Sequence, residues 1–149
     1  MNIKYVHTNL IAHDWKKLAQ FYIDVFGCVP EPPERNLSGG WLDKLTSLAN
    51  AHIRGIHLLM PGCGTNGPTL EIFEFDENIN NDGRNINREG FGHIAFAVDD
   101  VESCFELIKK HGGSSLGEIV KGNVDGVGRL HVVYARDPEG NIIEIQKWG

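Results

Sequence analysis

Four residues of this 149-residue chain combine in type and spacing into something that can do chemistry: His7, Glu71, His93 and Glu144. Two neutral imidazoles and two carboxylates form a mixed nitrogen and oxygen donor set. Such a set suits one divalent first-row metal ion, with zinc, nickel, cobalt, manganese and iron all acceptable. A six-coordinate ion held this way keeps two positions open for water or substrate, which is what Lewis-acid catalysis requires. A lone His or Glu in a strand is ordinarily a solvated or hydrogen-bonded structural residue. The metal reading therefore depends on how the four are related.

An internal repeat relates them. A shift of 86 residues places His7 on His93, Asp14 on Asp100 and Gly27 on Gly113. Between aspartate and glycine both copies read as an amphipathic helix, with Trp15, Leu18, Ala19, Tyr22 and Phe26 on one face of the first. Val101, Cys104, Phe105 and Ile108 do the same in the second. Aspartate is a good N-cap, and Gly27 or Gly112-Gly113 a good stop. A shift of 73 places Glu71 on Glu144, so the first half holds 13 extra residues between its helix and its last strand. The surplus is assigned to residues 31–51, which contain Pro32, Pro33, Gly39-Gly40 and a short amphipathic run around Trp41, Leu45 and Leu48. That run reads either as a lid or as a satellite cluster.

Strands are expected at Thr69–Phe75 and Ile142–Trp148, and further ones at 52–60 and 129–136, with a turn at Asp137-Pro-Glu-Gly140. Each half then reads strand, helix, and two or three strands. The division is a single domain over 1–149, with one module about 1–76, a linker about 77–89 rich in Asn, Asp and Gly, and a second module about 90–149.

Side chains alternate across a strand, so parity assigns faces. Leu70 and Ile72 oppose Glu71, Ile143 and Ile145 oppose Glu144, and Ile94, Phe96 and Val98 oppose His93. The apolar parity is the one a helix covers; the other gathers the two histidines and two glutamates on the uncovered side. Glu74, on the Leu70 side, is read as surface. His57 and His131 lie in strands and either line the cavity or are structural; His13, His52 and His111 receive no role.

Composition closes off other classes. Fourteen basic against 20 acidic residues give a net charge of −6, with no cationic excess to neutralise a nucleic acid or an anionic membrane. Apolar runs stop at four or five residues, and the first ten residues hold no signal-peptide core. Three scattered cysteines, Cys28, Cys63 and Cys104, form no disulfide framework. A soluble cytoplasmic protein in a reducing compartment is the expectation.

The pattern resembles the vicinal oxygen chelate superfamily and, within it, the glyoxalase I-like proteins of the glyoxalase–bleomycin resistance protein–dioxygenase family. It is carried by His7 opening the first strand, Phe21-Tyr22 with Phe26-Gly27, and Glu71 in Leu-Glu-Ile-Phe-Glu-Phe. Gly92-His93 with the strand to Asp99, Asp137-Pro-Glu-Gly140, and Glu144 in Ile-Ile-Glu-Ile-Gln complete it. The resemblance implies an α+β fold of two βαβββ modules, forming a curved, half-barrel-like mixed sheet with helices on the convex face, often within a homodimer. It implies a metal held by His7, Glu71, His93 and Glu144. It also implies a small substrate with two neighbouring oxygens that passes through an enediolate while Glu144 moves a proton, Glu71 being its symmetry-related counterpart. Relatives acting on glutathione adducts place Arg four residues after the first ligand and Asn four residues after the second, where this chain has Ile11 and Phe75.

The four-ligand set bears on other activities of the superfamily. A methylmalonyl-CoA epimerase-like isomerase also needs a metal-held enolate. A metal-free antibiotic-binding protein would not need the ligands this chain keeps. Ring-cleaving dioxygenases and antibiotic-modifying thiol transferases use three protein ligands, which leaves Glu71 unexplained.

Overall fold

The computed structural model describes residues 1–81 and 83–149; Asp82, within the expected linker, lies outside the described residues. The chain is mixed α+β and divides into two compact units, Met1–Asn80 and Asn81–Gly149. Each unit is a mixed sheet with its longest helix on one face.

In the first unit the order is β1 (His7–Ile11), α1 (Trp15–Phe26), β2 (Val29–Ser38), α2 (Gly40–Thr46), β3 (His52–Leu59) and β4 (Thr69–Phe75). The sheet runs β1-β4-β3-β2, with β1 and β4 parallel and the other pairs antiparallel. The Asp14 carboxylate accepts from the Lys17 amide at 3.1 Å and starts α1. Gly27 ends it at φ 68°, a left-handed conformation costly for other residues. Leu18, Ala19, Phe21 and Tyr22 are buried from that helix, and Ile56, Leu58, Leu70 and Ile72 from β3 and β4. A fully buried Leu or Ile contributes roughly 1.5–3 kcal/mol and an N-cap about 1 kcal/mol, so the apolar face holds the helix and the cap sets where it begins.

The second unit repeats this plan with β5 (Ile94–Ala97), α3 (Val101–Lys110), β6 (Ser114–Ser115), β7 (Val120–Val124), β8 (Gly128–Arg136) and β9 (Ile142–Trp148). The sheet runs β5-β9-β8-β6, with β7 also paired to β8 and β5 parallel to β9. Asp100 caps α3 by accepting from the Ser103 amide at 2.8 Å, the equivalent of the Asp14–Lys17 contact 86 residues earlier. Val101, Phe105 and Ile108 are buried from α3, and Val133, Ala135, Ile143 and Ile145 from β8 and β9, the strands on which that helix packs. The Asp137–Gly140 turn closes with the Gly140 amide donating to the Asp137 carbonyl at 2.9 Å.

Two sequence expectations change. Residues 31–51 hold a strand and a helix where only a surplus with a short amphipathic run was expected. Strand β2 tolerates Pro30, Pro32 and Pro33 because it lies at the sheet edge, and its register with β3 shifts between Glu31 and Arg35. In α2 the inward residue is Leu42, which clusters with Ala51 and Ile53 and with Leu37, Phe73 and Phe75. Trp41, Leu45 and Leu48 are exposed. Glu74 is also not a surface residue. Its carboxylate accepts from the Trp15 amide at 3.2 Å and pairs with Arg54 at 3.2 Å, so it serves the first turn of α1. Cys28, Cys63 and Cys104 are free thiols, and no helix among the described residues is long and apolar enough to cross a membrane.

Candidate functional site

Register delivers the candidate residues of the first unit to one face. Asn9 pairs with Glu71 across β1 and β4, and Glu71 with His57 across β4 and β3. Paired residues point the same way, and His7, two positions before Asn9, joins them. His7 Nε2 lies 3.0 Å from Glu71 Oε2, and His57 Nε2 lies 2.8 Å from Oε1. Asn9 Nδ2 donates to Oε2 at 3.4 Å. The two imidazoles meet edge to face at 5.8 Å between centroids. One ligand-capable atom from each of His7, His57 and Glu71 lies within 4.8 Å of the others. Adjacent ligands at ~2.1 Å from an octahedral ion sit about 3 Å apart, so the donor set fits a divalent cation in type and spacing.

The Thr69 hydroxyl sits 3.1 Å from His57 Nδ1. A carboxylate only accepts, so in the imidazole–carboxylate contact Nε2–H donates to Glu71 and the hydroxyl donates to Nδ1. The hydroxyl can equally accept from Nδ1–H, the tautomer that frees Nε2 as a metal ligand; Thr69 therefore serves both states. Burial lowers the His57 pKa, the Glu71 charge opposes this, Arg35 and His7 lower it further and Glu31 opposes them, so the surroundings favour the neutral ring.

In the second unit His93 Nε2 lies 3.2 Å from Glu144 Oε2. Tyr134 pairs with Glu144 across β8 and β9, the place His57 holds opposite Glu71. Its ring meets that of His93 at 5.1 Å. Burial first, then the hydrogen bond to Glu144 and its charge, hold the Tyr134 hydroxyl above its ordinary pKa.

The structure thus brings His7 to Glu71 and His93 to Glu144, each pair within its own unit. It adds His57 and Tyr134 as partners of the two carboxylates. Sequence reasoning left His57 between cavity and structural roles and missed Tyr134, because both depend on antiparallel register, which parity along a single strand does not carry. His131 lies 3.2 Å from Glu102, but its buried Nε2 makes no hydrogen bond among the described residues. His52 bonds Asp76 at 2.9 Å and Asn36 at 2.6 Å, a structural clasp. A cavity of about 680 Å³ among β7, β8 and β9, lined by Lys121, Arg129, His131, Lys147 and Trp148, includes none of the four candidate ligands.

Known proteins share this architecture. A glyoxalase family protein from Bacillus cereus superposes with a TM-score of 0.75 over 99% of this chain and 94% of its own, at 20% identity. A lactoylglutathione lyase from Schizosaccharomyces pombe is 30% identical over 149 residues, covering 93% of this chain and 45% of that one. A probable lactoylglutathione lyase from Vibrio parahaemolyticus is 42% identical over 55 residues, 37% of this chain and 38% of that one. The matched regions span less than half the length of these curated relatives. The family model described as the Glyoxalase/Bleomycin resistance protein/Dioxygenase superfamily matches residues 4–145. With that match over nearly its whole length, the chain belongs to the glyoxalase/bleomycin resistance protein/dioxygenase superfamily.

Proposed function

We propose that this chain is a metal-dependent lyase or isomerase of the glyoxalase I-like type, moving a proton on a small substrate with two neighbouring oxygens. The observation that carries the reading is the repeat-related pairing of His7 with Glu71 at 3.0 Å and of His93 with Glu144 at 3.2 Å. These four residues would hold one divalent ion. When bound, such an ion supplies a Lewis acid that makes a carbon acid beside a carbonyl easier to deprotonate. The lactoylglutathione lyase names of relatives at 30% and 42% identity support the same chemistry.

The two carboxylates are not equivalent. Glu71 is engaged by His7, His57 and Asn9, whereas Glu144 is met by His93 and the Tyr134 hydroxyl. Glu144 is therefore assigned as the base that removes the proton and returns it, with Glu71 held as its fixed counterpart. For the adduct of a 2-oxoaldehyde with a thiol, the proton leaves the carbon bearing the hydroxyl and returns to its neighbour. The product is an isomeric 2-hydroxy thioester. The two units act as the modules of one domain, and the chain works as a cytoplasmic homodimer on a small molecule.

The test is metal content per chain for the wild type and for Glu144→Ala, both purified without a His-tag. One divalent ion in the wild type, lost in the variant, together with a Glu144→Gln variant that folds but turns over no 2-oxoaldehyde–thiol adduct, is the expected result. A wild type that takes up no zinc, nickel, cobalt or manganese would overturn the reading.

A further inference from the structure

The first unit's sheet carries one fixed positive charge on the face of His7, His57 and Glu71. Arg35 pairs with Gly55 across β2 and β3, and Glu31 with His57, so after the register shift both point to the side of the histidine cluster. Arg54 is the other Lys or Arg among the strands of this sheet; it belongs to the opposite face, where Glu74 and Asp76 neutralise it at 3.2 and 2.9 Å. Arg35 is half-buried and makes no ion pair among the described residues, although Glu31 shares its face. Its guanidinium donates to the Pro33 carbonyl on its own strand, which leaves most of its five donors unused.

The backbone of β4 and the ring of Phe73, which pairs with Gly55, line the ground between Arg35 and the cluster. Gly55 lies there, and a Cβ on it would come within 2.1 Å of the Ile72 carbonyl oxygen and 2.5 Å of the Phe73 ring. That ring in turn meets His57 at 5.8 Å between centroids. Arg35 shares the face of Phe73 and His57, and its long side chain can lie along the Phe73 ring toward a molecule seated at His57.

We propose that Arg35 binds a carboxylate carried by the substrate, so that it selects mono-anionic substrates over neutral ones. This rests on the reading of the neighbouring site as one that holds a metal and a vicinal-oxygen substrate. A planar guanidinium matches a carboxylate in two parallel hydrogen bonds. A phosphate dianion fits less well, because Glu31 and Glu71 share the face and one Arg would leave a negative charge unbalanced.

Hydroxamates test this, since they present two neighbouring oxygens and have no proton to transfer between carbons. The full chain, supplied with zinc, is titrated calorimetrically with acetohydroxamate and with the monohydroxamates of succinate, glutarate and adipate. The latter three add a carboxylate at increasing reach. The expected result is that at least one tailed probe binds the wild type about tenfold or more tightly than acetohydroxamate. Arg35→Gln should erase the preference without weakening acetohydroxamate, and Arg35→Lys should restore part of it. Equal binding of tailed and untailed probes by the wild type, or a preference that survives in Arg35→Gln, overturns the proposal. A chain that takes up zinc yet binds no hydroxamate also overturns it while leaving the metal reading standing. A chain that takes up no zinc overturns both.

Discussion

His57 faces Glu71 across the antiparallel β3–β4 ladder, its Nε2 2.8 Å from Oε1, and Tyr134 faces Glu144 across β8–β9 in the corresponding place. The repeat therefore preserves the position of each carboxylate's cross-strand partner but not its chemistry. An imidazole can bind a metal or donate one hydrogen bond; a phenol with a raised pKa donates and keeps its proton. The difference makes Glu71 the more constrained carboxylate and Glu144 the freer one.

The first prediction concerns His57. Whether it ligates the ion directly or orients Glu71, removing it strips a partner from a candidate ligand. Such losses weaken metal affinity about 10- to 100-fold. His57→Ala should show a drop of that size in competition with a chromophoric chelator, with the far-UV circular dichroism unchanged. Thr69→Val, which removes the hydroxyl from Nδ1, should give a smaller loss in the same direction. Undiminished affinity in His57→Ala would make its contact with Glu71 structural.

Part of this was legible in the sequence, for a physical reason. Helix starts are local, so Asp14 and Asp100 could be read as caps from the residues that follow them, and both accept the expected amide three positions on. The strands Thr69–Phe75 and Ile142–Trp148 could be read from alternation. What sequence did not carry was pairing. Strand β2 was hidden by its prolines, which only an edge position permits. The roles of Glu74, His57, Tyr134 and Arg35 exist only once strands are laid in register. Leu42 could not be told from Trp41, because seven residues make too short a helix for periodicity to choose the inward face.

The helix-start contacts of α1 predict a measurable division of labour. Asp14→Ala removes the acceptor for the Lys17 amide and should destabilise the fold by about 1 kcal/mol. Glu74→Ala removes the acceptor for the Trp15 amide and the partner of Arg54 together. It should destabilise by about 1–2 kcal/mol. Urea unfolding of the two single variants and the double variant would check both. A Glu74→Ala variant as stable as the wild type would return that residue to the surface role its sequence context suggested.

In α2 the inward and outward residues should separate cleanly. Leu42 is 2% exposed and packs on Ile53 and Ala51, so Leu42→Ala should cost about 2–5 kcal/mol. Trp41 is 56% exposed, and Trp41→Ala should change stability by no more than about 0.5 kcal/mol. Thermal unfolding of the two variants side by side is sufficient. A large loss from Trp41→Ala would show that its ring is buried in solution.

Cys28 offers a prediction whose sign follows from burial. Its side chain is 2% exposed, and desolvation pushes the thiol pKa from 9.0 up to about 11. A thiol that ionises more readily in the unfolded chain than in the folded one pulls the equilibrium toward unfolding as pH rises. Its contribution to stability is therefore full below pH 9 and is lost progressively as the pH climbs to about 11. The urea midpoint should fall between pH 8.5 and 10.5, and in Cys28→Ala, starting from a lower value, it should fall by less over the same interval. The same burial predicts the labelling order. At pH 8 iodoacetamide should modify the exposed Cys63 promptly and leave Cys28 intact until the protein is unfolded. Equal slopes for wild type and variant, with Cys28 labelled as fast as Cys63, would mean that the first unit opens around Cys28 under native conditions.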